Sequence, residues 1–116
     1  MKKPILVCDD EEGIRESLKL ILENEYDVIF AENGDAAIRK MKASPVDLVI
    51  LDIKMPRKDG LETLKELKKI NPAAKIIIAT GYKSVDTAQE AMKLGASDYI
   101  VKPFDRQNVL TTVHKT

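Results

Sequence analysis

Apolar residues form five short runs along the chain, and segments with helical apolar spacing separate these runs. The longest run, residues 46–52, is apolar at consecutive positions except for the carboxylates Asp47 and Asp52. Consecutive apolar residues are typical of a strand that is buried on both faces of a parallel sheet. The next segment contains Pro56 and Gly60, which predict a loop. We therefore expect a central strand at residues 46–52, with Asp52 at its carboxyl end.

The remaining runs predict four more strands, at residues 5–8, 26–31, 75–79 and 98–101. A segment with apolar residues three or four positions apart follows each of the five strands and predicts a helix. The apolar positions of these helices are Ile14, Leu18, Ile21 and Leu22, then Ala37, Ile38 and Met41, then Leu61, Leu64 and Leu67, then Val85, Ala88 and Met92, and last Val109, Leu110 and Val113. We expect Asp10 or Glu11 to cap the first helix, Ser84 to cap the fourth, and Gly95 to end it.

Regular alternation of strand and helix predicts an α/β domain whose parallel strands are joined by right-handed crossovers. Periodicity leaves the strand order open. In a doubly wound sheet of order 2-1-3-4-5 the first and third strands would be neighbours, and ligands bind at the carboxyl ends of the strands. Asp47 lies five residues before Asp52, about 16 Å along an extended strand, and so belongs to the opposite edge of the sheet.

The composition describes one ordinary globular domain. The chain has 116 residues, 44% of them hydrophobic, and 19 Lys plus Arg balance 19 Asp plus Glu. A chain of this length buries a core without disulfides, and Cys8 is the single cysteine. Balanced charge gives no indication of nucleic acid or a membrane surface as a partner. With no signal peptide or membrane-spanning run in the sequence, we expect a cytoplasmic location.

Polar residues with related chemistry follow four of the predicted strands. They are Asp9, Asp10, Asp52, Thr80 and Lys102. Three carboxylates at one edge repel unless a cation neutralises them, and oxygen-only ligands favour a hard cation such as Mg²⁺. A carboxylate beside such a cation can attack phosphorus, while a hydroxyl and an ammonium suit phosphoryl oxygens. Each residue alone is more often a helix cap or a solvated turn residue, but their joint placement predicts a site for a phosphorylated aspartate.

Four motifs at these strand ends match one family together. They are Asp9-Asp10, the run Asp52-x-x-Met55-Pro56-x-x-Asp59-Gly60, Thr80-Gly81, and Tyr99-x-x-Lys102-Pro103-Phe104. On these motifs the chain resembles the receiver domain of two-component response regulators along essentially its whole length. The resemblance implies a flavodoxin-like fold, a doubly wound five-stranded parallel sheet of order 2-1-3-4-5 flanked by five helices. Residues 84–104 resemble the receivers of enhancer-binding transcription activators.

The resemblance also implies a phosphorylation site with a bound metal ion. Asp52 would accept a phosphoryl group from a partner histidine kinase or phosphotransfer protein. Mg²⁺ would be held by Asp9, Asp10 and Asp52, with the backbone carbonyl of Lys54 completing the protein ligands.

Further residue roles follow from the same resemblance. Lys102 would contact the phosphoryl oxygens, and Thr80 would move towards them. Tyr99 would turn inward as Thr80 vacates space, which makes Thr80 and Tyr99 the switch residues. The peptide bond before Pro103 is expected to be cis, and Tyr82 matches a position that tunes the phosphate lifetime.

The function implied is a signalling switch and not an enzyme, with only self-phosphorylation and self-dephosphorylation chemistry. Phosphorylation would change the face formed by helix 4, strand 5 and helix 5, and so regulate an output domain or a downstream protein. We expect residues 1–116 to form a single receiver domain with no output domain in this chain. A homodimer that forms on phosphorylation is a further expectation.

Three alternative functions fit the sequence less well. A phosphohydrolase that uses an aspartyl phosphate has a second aspartate two residues after the nucleophile, where this chain has Lys54. A flavodoxin-type flavin module needs a hydroxyl- and glycine-rich loop after the first strand, whereas residues 8–12 are acidic. A degenerate receiver acting as a constitutive scaffold usually lacks an acidic ligand, the threonine or the lysine, and all are present here. Cys8 is expected in the core, and His114 at a solvated helix end.

Overall fold

A single parallel sheet with helices on both faces organises the chain. The computed structural model describes residues 2–53, 60–81 and 85–116. Its strands are β1 (Lys3–Cys8), β2 (Tyr26–Ala31), β3 (Leu48–Asp52), β4 (Lys75–Gly81) and β5 (Asp98–Lys102). Its helices are α1 (Glu12–Leu22), α2 (Gly34–Ala43), α3 (Gly60–Ile70), α4 (Val85–Lys93) and α5 (Arg106–Lys115). The sheet order is β2-β1-β3-β4-β5, with all pairs parallel. The predicted doubly wound, flavodoxin-like fold is confirmed.

Strand β3 is buried on both faces, as its continuous apolar sequence predicts. Val49 and Leu51 pack in a cluster with residues of α2, α3 and α4. Ile50 packs in a second cluster with residues of α1 and α5. Successive side chains of a strand point to opposite faces, so an uninterrupted apolar run serves two cores at once.

The central strand begins two residues later than the sequence predicts. The amide of Val46 donates to the sulfur of Met41, at 3.4 Å, and its carbonyl accepts from the Asn71 side chain at 3.0 Å. These bonds tie Val46 to α2 and to the end of α3 instead of to the sheet. Asp47 also contacts Asn71, so it lies at the amino-terminal edge, as expected.

Strands β4 and β5 run further than predicted at their carboxyl ends. Thr80 pairs with Val101 and Gly81 pairs with Lys102 in the ladder. Two residues expected to follow strands, Thr80 and Lys102, are therefore held within them. Their backbone positions are fixed by the sheet and not by a loop.

Two predicted helix details are corrected. Glu11 occupies the N-cap position of α1, but its side chain makes no capping hydrogen bond; Asp9 Oδ1 instead accepts from the Glu11 amide at 3.0 Å. Met92 is 39% exposed and not on the buried side of α4, because Ala88 and Ala91 fill that position against the sheet. Ser84, the expected cap of α4, lies outside the described residues. Gly95 ends the helix region with a φ of 111°, as its prediction requires.

Candidate functional site

Three strands deliver the charged side chains of the site to one face of the sheet. Asp52 ends β3 and Lys102 ends β5, while Asp9 follows β1 directly. Each stands two residues beyond an apolar residue of the cluster facing α1 and α5, namely Ile50, Ile100 and Val7. Because side chains alternate along a strand, all three charged groups point to this same face at the carboxyl edge.

Strand β4 lies between β3 and β5, so the Lys102 side chain must cross it to reach the carboxylates. The β4 residues on this face are Ala79, which pairs with Asp52, and Gly81, which pairs with Lys102. A methyl group and a hydrogen leave space above the strand for the four-carbon stem of a lysine. The small residues of β4 therefore permit the contact between β5 and β3.

The Lys102 ammonium bridges two buried carboxylates. Its Nζ lies 2.9 Å from Asp9 Oδ2 and 3.4 Å from Asp52 Oδ1. Asp9 and Asp52 are only 1% and 4% exposed. Burial alone lowers the pKa of Lys102, but the hydrogen bond to Asp9 and the charge of Asp52 outweigh it, so the pKa is raised above its usual value. The lysine is accordingly an ammonium at neutral pH and acts as the counter-ion of this cluster.

Asp9, Asp10 and Asp52 form a cluster able to hold a metal ion. One carboxylate oxygen from each lies within 4.8 Å of the others. Asp10 is exposed, so the cluster is open to solvent on that side. The donors are oxygens only, which fits a hard divalent cation such as Mg²⁺ better than a thiolate- or imidazole-preferring metal. Lys54, the expected carbonyl ligand, lies outside the described residues.

Asp9 is anchored at three of its atoms. Besides the bonds of its carboxylate to Lys102 and to the Glu11 amide, its backbone carbonyl accepts from the Arg15 guanidinium at 2.8 Å. This bond was not predicted from the sequence. The signal available was the position of Arg15 in the first turn of α1, since helical side chains lean towards the amino end.

Thr80 and Tyr99 lie on the opposite side of the sheet from Lys102. Thr80 stands two residues after Ile78, which packs with the cluster facing α2, α3 and α4, and Tyr99 pairs with Ile78. Thr80 is 1% exposed and its hydroxyl donates to the Gly81 carbonyl at 3.3 Å. Tyr99 is 36% exposed. The two residues thus share one face, one of them buried and the other at the surface.

Pro103, Tyr82 and Cys8 also belong to the carboxyl edge of the sheet in the sequence prediction. The Lys102–Pro103 peptide is cis, as predicted. Tyr82 lies outside the described residues. Cys8 is buried, and burial followed by the charges of Asp52 and Asp9 raises the pKa of its thiol to about 12. It is therefore an unreactive core residue.

An apolar groove adjoins the site. It has a volume of about 380 Å³ and is lined by Ile14, Ser17, Leu20, Ile21, Lys102, Pro103 and Phe104. Leu20 is 63% exposed there. The groove therefore connects the surface of α1 with the lysine that contacts Asp52.

His114 lies at another part of the molecule. Its Nε2 is 2.7 Å from Glu25 Oε2, and both side chains are about half exposed. It borders a depression at the amino-terminal edge, with Lys3 and Asp47. This is the solvated helix end expected from the sequence. Within the described ranges, no helix has both the length and the apolar composition needed to cross a lipid bilayer.

Comparisons with known proteins agree with this geometry. A family model described as the response regulator receiver domain matches residues 5–114. The transcriptional regulatory protein ZraR of Escherichia coli K12 is 42% identical over 112 residues, which cover 96% of this chain but only 25% of ZraR. The chemotaxis protein CheY of Bacillus subtilis is 39% identical over 118 residues, covering 100% of this chain and 98% of CheY. The receiver domain of NtrX from Brucella abortus superposes with a TM-score of 0.92 at 34% identity, covering 96% of this chain and 95% of that one.

Proposed function

We propose, from the premise that the chain belongs to the response regulator receiver family, that it is a switch operated by phosphorylation of Asp52. One observation carries the proposal. Asp52 is 4% exposed, yet it lies beside two other carboxylates and 3.4 Å from the Lys102 ammonium. A buried aspartate with these charged neighbours is suited to hold a phosphoryl group, which water would remove more readily from a solvated aspartate.

The residues proposed to hold Mg²⁺ are Asp9, Asp10 and Asp52, with the carbonyl of Lys54 as a further ligand. When bound, the cation supplies positive charge that offsets the carboxylates and the oxygens of an incoming phosphoryl group. Without such charge, the three carboxylates repel a phosphate ester or phosphoramidate approaching from solvent. We therefore expect phosphorylation to depend on a divalent cation.

The transfer itself uses Asp52 and a phosphohistidine on a partner histidine kinase or phosphotransfer protein. A carboxylate oxygen of Asp52 attacks phosphorus and forms the P–O bond of an acyl phosphate. The P–N bond breaks, and its electron pair returns to the imidazole nitrogen, which takes up a proton. Lys102 moves from the carboxylate of Asp52 to a phosphoryl oxygen, and the Thr80 hydroxyl donates to another.

Thr80 and Tyr99 lie on the same face of the sheet, and we propose that they transmit phosphorylation to the surface of α4, β5 and α5. A phosphoryl group adds a charge of about −1.5 to −2 and new acceptor oxygens at the carboxyl edge. If Thr80 moves towards them, it leaves space on its own side of the sheet, and the Tyr99 ring fills it. The face formed by α4, β5 and α5 changes shape in consequence and regulates an output domain, a downstream protein or a second copy of the chain.

The apolar groove at Leu20 is proposed as the place where the phosphohistidine donor protein rests. Its lining includes Lys102, which contacts Asp52 directly. A protein that brings a histidine to Asp52 must cover the surface around Lys102. The exposed Leu20 provides apolar area for that contact.

Receiver domains are generally signalling modules without external substrates. We propose that this chain is such a module. The residue two positions after Asp52 is Lys54, not an aspartate that could act as acid and base in a phosphohydrolase. We propose one receiver domain over residues 1–116, in a chain that spans a quarter of the length of ZraR.

The proposal is tested by incubating the chain with acetyl phosphate, with and without Mg²⁺, and measuring the intact mass. The wild type should gain one phosphoryl group only with the cation, and hydroxylamine should remove it, since acyl phosphates are sensitive to that nucleophile. Asp52→Asn should gain none. Asp47→Asn is the matched control, because Asp47 lies at the other edge of the sheet, and it should behave as wild type. An unchanged mass in the wild type would refute the proposal.

A further inference from the structure

A cationic cleft lies between α1 and α2, where strand β2 ends. It has a volume of about 300 Å³, and its lining includes Arg15, Phe30, Glu32, Arg39 and Lys40. We call it the β2 cleft. It lies on the far side of β1 from the Lys102 side chain and is separate from the groove at Leu20.

The charges of the β2 cleft do not balance. Of the described residues that line it, three are cations, Arg15, Arg39 and Lys40, and one is a carboxylate, Glu32, whereas the whole chain has 19 groups of each sign. The hydrogen bonds of Arg15 and Lys40 go to backbone carbonyls, of Asp9 and Phe30 respectively. Bonds to neutral carbonyls orient these cations and leave their positive charge in the cleft.

The cations of the β2 cleft come from two helices, Arg15 from α1 and Arg39 and Lys40 from α2. Arg15 lies over the Phe30 ring, with its Cζ 6.0 Å from the ring centroid, and this cation–π contact helps to position the guanidinium. Arg39 and Lys40 are exposed on neighbouring positions of α2. At the amino end of that helix the Ala36 amide already donates to the Asn33 side chain, and the charged donors of the cleft are side chains. Guanidinium and ammonium donors together suit the oxygens of a phosphate group.

We propose that the β2 cleft binds a small phosphate-bearing anion, held by Arg15, Arg39 and Lys40. Arg15 links this site to the acidic cluster, because the same guanidinium donates to the backbone carbonyl of Asp9. An anion that draws the Arg15 guanidinium towards the cleft therefore weakens its hydrogen bond to the Asp9 carbonyl. Binding requires neither phosphorylation of Asp52 nor a metal ion, so it stands or falls independently of the proposed switch.

The test is a titration of the ¹⁵N-labelled full chain by amide chemical shifts, in low salt and without divalent cations. Inorganic phosphate, pyrophosphate and a nucleoside triphosphate are the three probes. We expect saturable shifts at the Ala31, Glu32 and Ala36 amides, accompanied by a shift at Asp9. Tighter binding of pyrophosphate than of the nucleotide identifies free phosphate chemistry, and the reverse order identifies a nucleotide; both support the site.

Substitutions distinguish a specific anion site from non-specific attraction of anions to surface lysines and arginines. Arg39→Gln and Lys40→Gln should each weaken binding by about threefold to tenfold, and both residues are exposed, so folding should be unaffected. Lys42→Gln is the matched control, an exposed lysine on the same helix that does not line the cleft. Equal weakening by Lys42→Gln, shifts that do not saturate, or shifts spread over the whole surface would each overturn the proposal.

Discussion

Lys102 and Asp9 form a stronger contact than a surface ion pair because both are largely removed from water. Their side chains are 19% and 2% exposed, and the atoms are 2.9 Å apart. Exposed pairs contribute little, since solvent screens them and side-chain entropy opposes them. Here the ammonium also faces Asp52, so its removal leaves buried carboxylates without that counter-charge.

We predict that Lys102→Gln lowers the stability of the folded chain. Without divalent cations, we expect its free energy of unfolding at pH 7 to fall by about 1–3 kcal/mol. The folded pKa of Lys102 is raised above its usual 10.5, so folding favours the protonated form. The stabilisation is therefore fully present below pH 10.5 and is lost as the pH rises through the higher folded pKa. Urea unfolding of both proteins from pH 7 to pH 11 measures this.

Lys42→Gln is the control for that experiment, since an exposed lysine should change stability by less than about 0.5 kcal/mol. Added Mg²⁺ should reduce the deficit of Lys102→Gln, because a cation at the cluster replaces the lost charge. A difference between the two proteins that stays constant up to pH 11 would contradict the role given to the ammonium.

At the scale of elements, the sequence predicted the parts of the site that depend on strand order and alternation. Asp9, Asp52 and Lys102 could be placed at one edge because they follow apolar runs. The Arg15 bond to Asp9 was only partly predictable. The position of Arg15 in the first turn indicates that its side chain leans towards β1, but the acceptor depends on the distance between α1 and the end of β1. The two extra residues of β4 were missed too, since their pairing with β5 is a tertiary contact and a glycine such as Gly81 is depleted in strands.

Gly60 joins α3 to β3 at a distance that only a glycine tolerates. A Cβ at Gly60 would lie 2.5 Å from the Ile53 Cα and 2.8 Å from the Asp52 carbonyl oxygen. The Gly60 amide also donates to the Ile53 carbonyl at 2.8 Å. The start of α3 is thereby fixed against the residue proposed to be phosphorylated.

We predict that Gly60→Ala lowers the free energy of unfolding by about 1–3 kcal/mol and slows phosphorylation of Asp52 by acetyl phosphate, because β3 and α3 must separate. Gly13→Ala is the matched control. A Cβ there meets nothing within 4 Å, and Gly13 is the second residue of α1, so stability should stay the same or rise by less than about 0.5 kcal/mol. Urea unfolding and the rate of mass gain measure both variants. Wild-type stability in Gly60→Ala would refute the close approach.

The groove on α1 leads to a third prediction. Leu20→Ala should lower the kcat/KM of transfer from a phosphohistidine donor protein by about fivefold to tenfold, because truncation removes apolar area from the proposed docking surface. Phosphorylation by acetyl phosphate should stay unchanged, since a small donor needs no docking surface. Lys19→Ala, at an exposed position of the same helix outside the groove, is the control. Equal loss with both donors would assign Leu20 to folding and not to docking.

At the scale of the whole molecule, the sheet separates the acidic cluster, where we propose that phosphorylation occurs, from the residues proposed to respond to it. Asp9, Asp52 and Lys102 point to the face of α1 and α5, whereas Thr80 and Tyr99 lie on the other face. Coupling between the two requires an element with two arrangements, and the proposal assigns that role to Thr80. The buried Thr80 hydroxyl donates to the Gly81 carbonyl in this structure. In the proposed phosphorylated arrangement it would donate to the phosphoryl group instead.

The last prediction separates phosphorylation from its readout. Thr80→Ala should still gain one phosphoryl group, because Asp52 and the acidic cluster are intact, but the surface of α4, β5 and α5 should no longer respond. In the wild type, phosphorylation should shift the ring signals of Tyr99 in NMR spectra and change amide hydrogen exchange in those three elements. Tyr26, on the distant edge strand β2, serves as the internal control and should not shift. If the Tyr99 signals of Thr80→Ala move as far as those of the wild type, the signal must pass through other residues, because a ligand or modification shifts an equilibrium only through contacts that differ between its two states.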